Sequence, residues 1–173
     1  MEDPIRRHIA GSQSGFEQLV AGIPGYHGYK ERELRREADK ALRMHLAARF
    51  DEARRRLLGA MDHLTGAGRL AEAALLQKAN LQLQLLVDRL RTAPHGYAGW
   101  FDALKVQQAE LDRLYAFDRA LATGADRVSE LVAKVASQAA AGENTSAEAS
   151  ALANVIDELN DTFARRSEAI TGE

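Results

Sequence analysis

The stretch 29-YKERELRREADKALRMHLAARFDEARRRLLGAMDHLT-65 decides the fold. Its apolar residues, Leu34, Ala38, Ala41, Leu42, Leu46, Phe50, Ala53, Leu57, Met61 and Leu64, recur at steps of three and four. An α-helix turns once every 3.6 residues, so this spacing gathers them on one side. Only the isolated Gly59 interrupts, and no Pro does. The spacing therefore predicts a single helix over about 29–65, about 50 Å long at 1.5 Å per residue. Gly66-Ala-Gly68 then supplies a stop.

Working outward, residues 69–91 read as a second helix. Leu75, Leu76, Leu81, Leu83, Leu85, Leu86, Val87 and Leu90 spread around most of its circumference. The alternation Leu-Gln-Leu-Gln-Leu at 81–85 imitates a strand, but its Ala, Lys and Leu neighbours favour a helix. A helix apolar on several sides is expected in the middle of a bundle. Pro94-His-Gly96 closes it.

Residues 98–141 carry a heptad. Leu104, Leu111, Ala125 and Val132 lie on one register, with Asp118 interrupting, and Leu114, Leu121, Val128 and Val135 lie on its companion. The phase survives Thr123-Gly-Ala125, which favours one long helix over a break at Gly124. After a loop at Gly142-Glu-Asn144, Thr145-Ser-Ala-Glu148 has the spacing of a capping box, ahead of a last helix over 146–170. That helix aligns Leu152, Val155, Ile156, Leu159 and Phe163.

Residues 1–28 are the least regular. A short helix is expected around Ser12 to Val20, and Gly22-Ile-Pro-Gly25 forces a turn, since Pro fixes φ. The fold expected is thus all-α: an elongated antiparallel helical bundle or coiled coil of four long helices, plus a short N-terminal helix. Residues 1–28 form an N-terminal segment and 29–173 the bundle, with short loops favouring antiparallel neighbours.

Composition agrees. Of 173 residues, 46% are hydrophobic and 28% charged, too apolar for a disordered chain, while no apolar run is long enough to span a bilayer. No secretory signal is visible behind Arg6 and Arg7, so the expected compartment is cytoplasmic. The chain has no Cys, which removes disulfides, thiolate metal sites and cysteine nucleophiles. The net charge of −2 hides a split: residues 1–97 carry +4 and residues 98–173 carry −6. Such halves suit mutual packing and argue against nucleic acid as a partner of the whole chain.

Tests for chemistry fail one after another. The Glu-x-x-His spacing of di-iron bundles is absent, because none of His8, His27, His45, His63 and His95 has an acid three residues before it. Gly11 and Gly15 flank Gln13, so no nucleophile elbow is spelled there. Neither Gly-x-Gly-x-x-Gly nor the Walker spacing occurs. The chain is expected to be no enzyme, with no catalytic, cofactor-binding or metal residues and no cofactor. Asp118, inside the heptad core register, reads as a device fixing register.

Surfaces remain. Arg35, Arg36, Arg54, Arg55 and Arg56 mark the basic runs of the first long helix, although acids interleaved at three- and four-residue spacing can pair with them. Tyr26, His27 and Tyr29, together with Tyr97 and Trp100, form aromatic clusters at the starts of the first and third long helices. They read as a packed cap on one end of the bundle, or as an end-on binding patch. Together these residues form the candidate interaction surface. The function expected is a helical interaction or scaffold protein that self-associates through heptad surfaces or binds a protein partner. The alternative is a binder of anionic membrane surfaces, using the N-terminal segment and the Arg-rich helix.

Overall fold

A computed structural model describes residues 21–24, 35–93 and 108–171. Four helices account for nearly all of them: α1 (Arg35–Gly66), α2 (Leu70–Thr92), α3 (Gln108–Ala141) and α4 (Ser146–Thr171). They pack against one another as an all-α bundle with no strand among the described residues. The predicted boundaries of the second and fourth helices match to within one residue. The expected starts at 29 and 98, and the short N-terminal helix, lie outside the described residues.

Both tight turns have the same construction. Gly68 and Gly142 adopt φ of +76° and +74°. In each turn the next residue's N–H reaches back to a carbonyl in the last helical turn, Arg69 to Leu64 at 2.8 Å and Glu143 to Gln138 at 2.9 Å. This is the Schellman stop, and only Gly takes the required left-handed conformation without a Cβ clash. The result is two antiparallel hairpins, α1–α2 and α3–α4.

The hairpins pack so that α1 touches α2 and α3, and α4 touches α3 and α2. The helices thus stand at the corners of a square with α2 and α3 on a diagonal. Asp39 and Asp118 meet the same Arg166, and Arg49 meets Asp126 further along, so α1 and α3 run parallel. Arg35 and Gln108, where the described parts of these two helices begin, therefore lie toward the same end of the bundle; the aromatic residues of the expected cap lie outside the described residues.

The apolar stripe of α1 enters the core as expected: Ala38, Leu42, Leu46, Phe50, Ala53, Leu57 and Leu64 are buried. The helix α3 runs unbroken through Gly124. A Cβ placed there would sit 2.2 Å from Leu159 Cδ2, so the missing side chain makes room for a leucine of α4. The heptad of α3 is consumed inside the molecule from Leu114 onward. Leu114, Leu121, Ala125, Val128, Val132 and Val135 are all buried by the chain's own helices.

One expectation is corrected. The second helix is not central: α2 occupies a corner and touches α1 and α4. Ala73, Leu76, Ala79, Leu83, Leu86, Val87 and Leu90 satisfy its inner face, while Leu70, Leu75, Leu81 and Leu85 stay exposed.

The charge split is realised as contacts between the hairpins. Arg49 pairs with Asp126 at 2.6 Å and Lys78 with Asp157 at 3.7 Å, the basic half meeting the acidic half.

Candidate interaction surface

The outer face of α2 is built by simple periodicity. Ala74, Lys78, Leu81, Leu85, Asp88 and Thr92 follow at steps of four, three, four, three and four, and all are exposed. Leu81 and Leu85 leave 56% and 45% of their surface in solvent, and Leu70 leaves 63%. Leu70, Leu81 and Leu85 thus form an exposed apolar strip along one side of α2.

Polar ties flank this face on both sides. Toward α1, Arg54 Nη2 donates to Gln84 Oε1 at 3.3 Å and Arg91 Nη2 to Asp51 Oδ2 at 3.1 Å. Toward α4, Gln82 donates to Asp157, and Arg89 Nη1 donates to Asn160 Oδ1 at 3.3 Å. Asn160 Nδ2 returns a bond to the Gln82 carbonyl at 3.2 Å. These ties hold α2 in rotation, so its leucine face points steadily outward.

The ends of α2 are anchored by charged groups. At its start, Glu72 accepts a bidentate pair from Arg69 at 2.8 and 2.6 Å, and accepts both the backbone N–H and the hydroxyl of Thr145 at 2.8 and 2.9 Å. The Arg69 bonds, then the Thr145 N–H, hold the Glu72 carboxyl down to about 2 against an opposing effect of desolvation. This overturns the expected capping box. The Thr145 N–H assigned to Glu148 goes to Glu72, while Glu148 pairs with Lys134 at 2.6 Å, which holds its own pKa low. Asn144 Oδ1 instead accepts the Ser146 N–H at 2.9 Å.

At the other end a buried ion network joins all four helices. Arg166 of α4 donates from Nε to Asp118 Oδ1 of α3 and from Nη2 to Asp39 Oδ1 of α1, both at 2.5 Å. Arg43 Nε donates to Asp39 Oδ2 at 2.9 Å, and its Nη1 donates to the Leu90 carbonyl at the end of α2, also at 2.9 Å. All four side chains are buried, and two cations balance two anions. The cation at the α2 C-terminus also complements the helix dipole. Asp118 thus lies in the core, as its heptad position predicts, and is paired there with Arg166. Its partners were missed, although Arg166 continues the spacing of Ile156, Leu159 and Phe163 and so stands in a core register of opposite charge.

The residues singled out from the sequence fall in different places. Arg55 and Arg56 lie on the outer side of α1, while the half-buried Arg54 faces Gln84 of α2, and each has an acid nearby: Asp51 at 3.7 Å for Arg54 and 3.8 Å for Arg55, Glu52 at 3.0 Å for Arg56. Arg35 and Arg36 open α1, with side chains outside the described set. Tyr26, His27, Tyr29, Tyr97 and Trp100 lie outside the described residues. Between α1 and α3, a groove of about 290 Å³ is lined by His45, Arg49, Glu52, Arg56 and Ser129. Burial first, and Arg49 second, hold the His45 pKa below its ordinary value.

No helix among the described residues is long and apolar enough to cross a membrane. Comparison with protein-family models, with curated proteins and with solved structures finds no match for this chain.

Proposed function

We propose that this protein is a non-enzymatic helical interaction module that works through the outward face of α2. The observation that carries this reading is the aligned exposure of Leu70, Leu81 and Leu85 on a helix held in rotation from both sides. An amphipathic partner helix laid along α2 would bury these leucines, and apolar burial releases about 25 cal/mol per Å². Arg54, Arg55 and Arg56 are neighbours of acids on their own helix, which favours a docking face on α2 over a basic patch on α1.

A photo-crosslinking residue at position 85, introduced into the protein in its native cells, tests the reading. A discrete adduct that disappears on adding Leu81→Glu is expected, with no such adduct from position 62 on the exposed side of α1. Equal labelling from both positions would remove the support for an α2 docking face.

A further inference from the structure

We infer that the outward face of α2 docks on the same face of a second copy, with the two helices antiparallel about a two-fold axis at the level of residue 83. The inference rests on the interaction reading above and names its partner. The sequence of the exposed seam supports it. In an antiparallel pair centred there, Leu81 lies opposite Leu85 of the second copy, Lys78 opposite Asp88, and Ala74 opposite Thr92. The steps of four and three that space these residues are those of a coiled-coil seam. Reversing the order of the seam keeps its spacing and its two central leucines and exchanges Lys78 with Asp88, so each charge meets its opposite.

Charge selects the orientation. The parallel alignment would stack Lys78 on Lys78 and Asp88 on Asp88, while the antiparallel one converts both repulsions into ion pairs. Lys78 is two-thirds exposed and only loosely engaged, 3.7 Å from Asp157. Asp88 has no ion-pair partner among the described residues. The two arginines closest to the seam are directed to their own chain, Arg89 to Asn160 and Arg91 to Asp51, and so do not oppose the second copy. A face that is complementary to itself closes on one partner and leaves no free end, as an isologous two-fold contact does.

The seam is short, with two leucine layers inside one ion-pair layer on each side, so a weak dimer is expected, with a Kd on the order of micromolar. Sedimentation equilibrium of the full chain from about 1 to about 200 µM spans that range. A monomer–dimer equilibrium is expected, with Leu81→Glu/Leu85→Glu weakening the dimer at least about tenfold. Lys78→Glu and Asp88→Lys each weaken it, and the double exchange restores it, because the ion pair re-forms with its signs reversed. Circular dichroism checks that each variant keeps its helical content.

Orientation is read by disulfide trapping, made simple by a chain without cysteine. In an equal mixture of Leu81→Cys and Leu85→Cys proteins, the 81–85 crosslink is expected to exceed 81–81 and 85–85. A monomer at all concentrations overturns the inference, as does a dimer indifferent to these variants or a dominant 81–81 crosslink. A monomer whose position 85 still gives its specific adduct in cells overturns the second copy alone and leaves the interaction reading standing. Loss of both overturns both.

Discussion

At the scale of single residues, the bundle depends on a few side chains that break the apolar rule. Arg166 is fully buried between Asp118 and Asp39. Desolvating a charge is costly, and only its partners offset that cost. Arg166→Met should therefore lower the unfolding free energy in urea by about 3–5 kcal/mol, because it strands carboxylates in the core. Arg166→Met/Asp118→Leu should recover part of that loss, since Arg43 still balances Asp39. Gly124 makes the opposite point. Alanine is the better helix former by about 1 kcal/mol, but its Cβ would overlap Leu159, and overpacking costs about 1–3 kcal/mol. Gly124→Ala is expected to destabilise the protein on balance, and Leu159→Ala to cost less in that background than in the parent, as a double-mutant cycle in urea would show.

At the scale of elements, the start of α2 and the start of α4 form one unit through Glu72. Its pKa is lower in the folded chain than in the unfolded one, so its contribution is complete above pH 4.5 and is lost as pH falls toward about 2. Glu72→Gln should destabilise the protein at neutral pH, and the gap from the parent should close between pH 4.5 and 2. Urea titrations across that window check it; a gap that is constant with pH would mean that Glu72 acts by shape alone. The same unit explains why the capping-box spacing at Thr145 misled. The motif is local, whereas the carboxylate that takes its N–H comes from a helix 73 residues away. The heptad of α3, by contrast, was legible from Leu114 to Val135, because a seven-residue period depends on nothing beyond the helix itself.

For the whole molecule, the decisive quantity is which apolar surface is left over once four helices have closed around one core. The described part of the α3 heptad, the obvious candidate for association in the sequence, is spent internally, and among the described residues the exposed large apolar side chains are Met44 of α1 and the outer leucines of α2. The bundle buries its own core, and dimerisation should therefore add stability without being required for folding. Thermal melts of the parent should rise with protein concentration by a few degrees, and those of Leu81→Glu/Leu85→Glu should not, since mass action stabilises only the associating species. The segregated charge works at this scale too, with Arg49–Asp126 linking the hairpins.

The sequence by itself determined the helices: their number among the long periodic stretches, both ends of α2 and α4 and the C-terminal ends of α1 and α3 to within one residue, and the continuity of α3 through Gly124. It could do so because helical periodicity, Gly stops and hydrophobic spacing act within a dozen or so neighbouring residues. Only the tertiary structure decided the order of the helices around the core, the pairing of Asp118 and Asp39 with Arg166, and the outward turn of Leu81 and Leu85. A helix with leucines on several sides states how much apolar surface it has. Which of that surface meets another helix depends on where the other three stand, and a single helix carries no record of that.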